Sequence, residues 1–235
     1  MAQPSYQQFC AVARALDAVG ERWTLLIVRE LLLGPRRYTD LLEGLAGASP
    51  NVLAERLKKL EELEIVGRRK LPPPAASVVY ELTPLGLGLA PVLTELLRWG
   101  LNFLTERRAG EAVRLDHVLL AVRSVADPAA TVGVQESYEF HVEEHTFHVV
   151  AADGSVMVEP GPVPNPAATF TTDLGTLAAI GAGRLPAEQA LSEGRLTLEG
   201  NPDAALRASH ILAAHTRPGP GATPATEAAA RAPAI

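Results

Sequence analysis

The chain has 235 residues, more than one domain usually holds, so two domains are expected. It is 47% hydrophobic and 20% charged, which excludes an intrinsically disordered protein. The net charge is −6, yet residues 1–109 carry 14 basic against 12 acidic side chains and residues 110–235 carry 7 against 15, an asymmetry that suggests two jobs. The longest apolar run, Leu25 to Leu33, is broken by Arg29 and Glu30 and is too short to span a bilayer. Met1 to Cys10 has neither the basic start nor the apolar core of a secretory leader. Cys10 is the sole cysteine and has no partner for an internal disulfide. A cytoplasmic protein without membrane segment, cofactor or metal is expected.

Phe9, Val12, Leu16 and Val19 recur at helical spacing and predict a helix with one buried stripe, ended by Gly20. A second helix is expected from Trp23 to Leu33, stopped by Gly34-Pro35. Thr39 is the expected N-cap of a short helix, Asp40 to Leu45, and Gly47-Ala48 the turn after it. Ser49 as N-cap with Pro50 at the first helical position starts a longer helix, Ser49 to Glu64, whose Leu53, Leu57, Leu60 and Leu63 share one face. Ile65 to Leu71 and Ser77 to Leu82 read as paired strands around an exposed tip at Pro72, Pro73 and Pro74. Thr83-Pro84 opens a helix apolar at Leu85, Leu89, Val92, Leu93, Leu96, Leu97, Phe103 and Leu104, expected to exceed ~30 Å and reach a second subunit.

Beyond Ala109, strands are expected at Leu115–Val122, Tyr138–Val142, Thr146–Val150 and Val156–Glu159, with a turn at Asp153-Gly154. A Pro-rich link, Pro160 to Pro166, leads to a strand at Ala168–Thr172. Helices at Leu174–Gly181 and Ala187–Leu191, a strand at Arg195–Glu199 and a helix from Asn201-Pro202 to about Ala214 complete this half. Residues 216–235, rich in Pro, Gly, Ala and Thr, are expected to be a disordered tail.

In the first half, a short helix, a tight turn, a second helix and a two-stranded ribbon make a winged helix-turn-helix. A helix about 10 Å wide fits the major groove of duplex DNA and its first turns reach base edges. The leucines of Ser49–Glu64 hold it to the domain and leave Asn51, Val52, Glu55, Arg56 and Lys59 on the open side. Asn51 suits adenine, Arg56 guanine or phosphate, and Lys59 phosphate, with Ser49 at the helix start. Arg68, Arg69 and Lys70 would lie along the wing near the backbone or minor groove, and Arg36 and Arg37 would meet phosphate ahead of the supporting helix.

The run Cys10 to Ile27 (CAVARALDAVGERWTLLI), with Arg29 to Tyr38 (RELLLGPRRY), Ser49-Pro50-Asn51-Val52-Leu53 and Tyr80-Glu81-Leu82-Thr83-Pro84-Leu85-Gly86, resembles the HxlR family of bacterial winged-helix regulators over residues 8–104. That resemblance implies a homodimer, joined by the first and last helices of this half, on an inverted-repeat operator in double-stranded DNA. Some members of the family use a cysteine at the position of Cys10 as a redox sensor, usually followed by proline. Here Ala11 follows, and quiet packing is the default role of Cys10.

Phe140 to Val158, Ala168-Thr169-Phe170-Thr171-Thr172-Asp173, Leu177 to Gly183 and Ala190 to Asn201 resemble the sterol-carrier-protein-2-like fold. The resemblance implies helices over a curved sheet around an apolar cavity, lined here by Phe140, Phe147, Val149, Val158, Phe170, Leu177, Ile180 and Leu196 or by a solid core of the same residues. His141-Val142-Glu143-Glu144-His145 spells an inverted zinc-protease pattern, but that chemistry needs a helix and this segment alternates like a strand turning at Glu143-Glu144. No phosphate-binding glycine loop, serine elbow or cysteine pair is spelled elsewhere, and Gly181-Ala182-Gly183 lacks the strand such a loop needs. The expected protein is α+β and not an enzyme: a winged helix-turn-helix domain over 1–108, a sterol-carrier-like effector domain over 109–215 and the tail. The function expected is a homodimeric regulator, a repressor rather than an activator, tuned by a small hydrophobic effector. The alternatives are a Cys10 redox regulator and a lipid or small-molecule carrier with a vestigial DNA-binding half.

Overall fold

A computed structural model describes residues 5–72, 76–105 and 107–212. They fall into two compact units divided between Leu96 and Leu97. Among the described residues no helix is long and apolar enough to cross a membrane. Pro73 and Pro74 of the expected loop tip, the last residues of the expected final helix and the expected tail lie outside the described residues.

The first unit opens with α1 (Ala11–Val19), α2 (Thr24–Leu32), α3 (Tyr38–Gly44) and α4 (Pro50–Glu62), followed by the antiparallel pair β1 (Val66–Lys70) and β2 (Val78–Leu82). Several boundaries differ from expectation by one or two residues. Helix α1 starts at Ala11 with Cys10 as N-cap, and α3 starts at Tyr38, where the Asp40 carboxylate accepts the Arg37 N–H at 2.9 Å. The core is built from Val19, Ile27, Leu31, Leu41, Leu45, Leu53, Leu57, Leu60, Ile65, Val66 and Tyr80. Each fully buried leucine contributes about 1.5–3 kcal/mol relative to an exposed one. Leu63, expected on the same face, is exposed because the helix has ended by then and Glu64 turns the chain at φ +55.

The expected buried stripe of α1 is a clear correction. Val19 is buried, but Val12 and Leu16 are 67% and 43% exposed and Phe9, ahead of the helix, is fully so. The expected long helix from Pro84 is also absent. The chain forms a single turn, α5 (Pro84–Leu87), then α6 (Ala90–Gly100) and a 3-10 turn at Leu101–Phe103. Gly86 and Gly88 weaken the helix and Pro91 has no N–H to carry it on.

The second unit holds α7 (Leu115–Val125), β3 (Gln135–Val142), β4 (His145–Ala152), β5 (Val156–Pro160), β6 (Ala168–Thr172), α8 (Leu174–Gly181), α9 (Ala187–Ser192), β7 (Leu196–Gly200) and α10 (Pro202–Ile211). The segment expected as a strand at Leu115–Val122 is therefore a helix. Leu115, Val118, Leu119 and Val122 fall at 3.6-residue spacing, and Leu119, Val122 and Val125 are buried. The sheet runs β5-β4-β3-β6-β7, with β3 and β6 parallel and the other pairs antiparallel.

Strand alternation sends Tyr138, Phe140, Val142, Phe147, Val149 and Phe170 into one core with residues of α7, α9 and α10. Tyr138 is fully buried, and its hydroxyl donates to Glu136 Oε2 at 2.7 Å, where the Arg207 guanidinium also binds. Burial, aided by that carboxylate, pushes the phenol's titration upward. The reverse face is polar and is crossed by the segment between β5 and β6. There the Val163 N–H donates to Glu139 Oε2 at 2.8 Å, His148 Nδ1 bonds the Gly161 carbonyl at 2.9 Å and the Ala167 N–H donates to the Ser137 carbonyl at 2.8 Å.

Candidate nucleic-acid interface

Helix α4 starts where Ser49 Oγ accepts the Val52 N–H at 3.4 Å and Pro50 fills the first helical position. The Tyr38 hydroxyl donates to the Pro50 carbonyl at 2.7 Å and fixes this start against α3. With Leu53, Leu57 and Leu60 turned inward, the opposite side presents exposed Asn51 and Glu55 beside half-buried Val52. Lys58 shares that side, 76% exposed and 3.8 Å from Glu62. Sequence reasoning passed over it, although the spacing 51, 55, 58, 62 places it there.

Arg56 and Lys59, expected on the open side, are corrected by the structure. Their side chains are only 15% and 12% exposed, drawn to the corner between α1 and α2. Glu21 takes Arg56 Nη1 at 2.5 Å and Lys59 Nζ at 2.9 Å, and Lys59 also donates to the Asp17 carbonyl at 2.9 Å. The bond from Lys59 is the main reason the Glu21 carboxyl titrates below its usual range. Glu55 is a second acid for Arg56, at 3.0 Å.

On the wing, Arg68 pairs with Glu61 of α4 while its guanidinium lies 5.1 Å above the Tyr80 ring, and Arg69 pairs across the hairpin with Glu81 at 2.8 Å. Lys70 is exposed at the end of β1. Half-buried Arg36 adds a third short rung to the wing by exchanging backbone hydrogen bonds with Tyr80, and Arg37 next to it is exposed. Ser49 is exposed at the front of α4. Trp23, held at φ +77 ahead of α2, lies 3.6 Å from the point where a Gly47 side chain would begin, so the turn between α3 and α4 closes over the indole.

Cys10 is exposed, not packed away as expected by default. The N–H groups of Ala13 and Val12 hold its thiol below the ordinary value. In the second unit, Phe140, Phe147, Val149, Val158, Phe170 and Leu196 are buried and Leu177 and Ile180 half-buried, all packed in or against one core. Phe140 stacks on Phe147 and Phe170 at 5.0 and 4.9 Å. His141 and His145 lie on the two arms of a hairpin with Glu143 and Glu144 as its turn, His141 opposite Thr146 and His145 opposite Val142, so strand alternation puts them on opposite faces of the sheet.

These elements define a winged helix-turn-helix in the first unit and a sheet covered by helices in the second. The HxlR-like helix-turn-helix family matches residues 18–108 and the SCP-2 sterol transfer family matches residues 115–213. The HTH-type transcriptional regulator YodB of Bacillus subtilis is 40% identical over 89 residues, covering 38% of this chain and 80% of that protein. YvaP of the same organism, named an uncharacterized HTH-type transcriptional regulator, is 37% identical over 91 residues, covering 39% and 84%. Among solved structures, the reduced form of YodB from B. subtilis aligns at 38% identity over 41% of this chain and 95% of that one, with a TM-score of 0.37. The chain belongs to the HxlR-like helix-turn-helix family.

Proposed function

We propose that the chain is a homodimeric transcriptional regulator, a repressor, that binds an inverted-repeat operator in duplex DNA. The observation that carries this reading is α4. Three buried leucines fasten it to the core while Asn51, Glu55 and Lys58 face outward, in a chain whose relatives are named transcriptional regulators. Ser49, Asn51, Val52 and Glu55 meet base edges and the adjoining backbone; Arg36, Arg37, Arg68, Arg69 and Lys70 meet phosphates. A second copy covers the apolar surface of Phe9, Val12 and Leu16, which a monomer leaves in water. The two α4 helices then enter successive major grooves about one helical turn apart. The test is selection of bound duplexes from a random pool, followed by titration across salt. The expected result is a palindromic site and a steep negative log–log slope, and binding that ignores salt would refute the reading.

The second unit serves as effector sensor in this reading, supported by the match to the SCP-2 sterol transfer family. A small hydrophobic ligand changes operator affinity only if it prefers one spacing of the two recognition helices. A redox reading is favoured by one observation, the exposed Cys10 with its lowered thiol pKa next to Phe9. Cys10→Ser distinguishes the two, because only the redox reading requires loss of response to oxidant.

A further inference from the structure

We infer that Glu21 is a positioning residue that occupies Lys59 in place of a DNA phosphate, and so limits how tightly the chain grips DNA of any sequence. The inference rests on the regulator reading above. Lys59 lies about 40° around α4 from Glu55, on the flank of the outward face, where a long cationic side chain meets the backbone bordering a groove. Its ammonium group is nevertheless turned inward. One Glu21 oxygen accepts it at 2.9 Å, the Asp17 carbonyl in the last turn of α1 accepts it at 2.9 Å, and only 12% of the side chain is exposed. That carbonyl belongs to the negative end of the helix, so carboxylate and helix terminus together do what a phosphate oxygen would do.

The other Glu21 oxygen holds Arg56, but Arg56 keeps Glu55 at 3.0 Å as a second acid and its Nε reaches the Arg22 carbonyl at 3.4 Å. Lys59 keeps only the uncharged Asp17 carbonyl, so it is Lys59 that loss of Glu21 leaves without a carboxylate and free to turn outward. Releasing it adds a phosphate contact that carries no sequence information. Affinity for unrelated DNA rises and the preference for the operator narrows.

The test compares wild type, Glu21→Gln and Glu21→Gln/Lys59→Gln in full-length protein, by fluorescence anisotropy with a labelled operator duplex and a scrambled duplex of equal length. Salt is varied from about 50 to 200 mM. Glu21→Gln is expected to bind the scrambled duplex several-fold more tightly, with a log–log slope steeper by about 0.9, the value of one phosphate. The double variant is expected to return to the wild-type slope. A folded Glu21→Gln protein with an unchanged or shallower slope overturns the inference and leaves the regulator reading standing. If Glu21→Gln does not fold, Lys59→Gln alone decides. An unchanged slope supports the inference, and a fall of about 0.9 shows that Lys59 already touches phosphate and overturns it. Wild type that binds neither duplex in a salt-dependent way overturns the regulator reading and this inference together.

Discussion

Replacing Gly86 with alanine tests how the recognition helix and the wing are clamped together. Thr83 Oγ1 accepts the Gly86 N–H at 3.1 Å and donates to the Glu64 carbonyl at 2.5 Å, while the Thr83 N–H bonds the Ile65 carbonyl at 3.1 Å. The first turn of α5 thus sits on Glu64 and Ile65, two of the three residues that join α4 to β1. A methyl group on Gly86 would lie 2.1 Å from the Ile65 carbonyl oxygen, against 3.4 Å or more for ordinary contact. The obstacle is backbone, so no rotamer change relieves it and the junction must move by more than an ångström. Overpacking of this kind costs about 1–3 kcal/mol. In a unit of about 100 residues each kcal/mol shifts the melting midpoint by roughly 4–8 °C, so a mid-range cost of about 2 kcal/mol lowers it by roughly 8–16 °C. Scanning calorimetry of the full chain reads the transition, and anisotropy well below it should show weaker operator binding as the wing shifts. Gly100→Ala is the control. The site has φ −64 and open space around it, and helix propensity predicts a gain of about 0.5–1 kcal/mol. A Gly86→Ala protein that melts within about 2 °C of wild type would refute the clamp.

Leu16→Glu, alone or with Phe9→Glu, places charge on the exposed apolar face of α1 and is expected to convert the proposed dimer to monomers in sedimentation and to weaken binding to the proposed operator at least about tenfold, about 1.4 kcal/mol. A dimeric mass unchanged by the substitution would remove α1 from the proposed dimer contact. In the second unit, Arg207 grips Glu136 at 2.5 and 3.1 Å and holds its carboxyl below the usual range. A carboxyl depressed in the folded state contributes stability above its unfolded value, and that stability is lost as pH falls through the folded value. Arg207→Gln should therefore lower stability near neutrality, and the gap to wild type should start to close in urea titrations only as pH falls below the ordinary glutamate value of about 4.3; a constant gap across pH would contradict this.

Helix α4 was legible because its signals are local. Ser49-Pro50 marks the start and three leucines at helical spacing mark the buried face. Periodicity gives the sides of a helix but not the partner of each side. The lysine at 59 lies on the flank the pattern assigns to solvent, and its carboxylate comes from a residue 38 positions earlier. The same limit applies to Phe9, Val12 and Leu16, whose spacing announces a helix face without saying that this chain leaves it uncovered. Leu115–Val122 was misread for another reason. Its closely set apolar residues suit a buried strand as well as a helix, and Leu119, Val122 and Val125 settle the matter only through what they pack against. The break at Gly86, Gly88 and Pro91 was written in residue types, and the apolar spacing masked it.

The chain segment drawn over the reverse side of the sheet decides from which direction a greasy guest would have to arrive. That side is floored by Glu139 and His148, each already bonded to the passing backbone, so an oily molecule would have to sever polar bonds there and offer none in return. A hydrophobic effector of the kind proposed would have to enter through the helical roof, where α8 contributes Leu177 and Ile180, only half-buried.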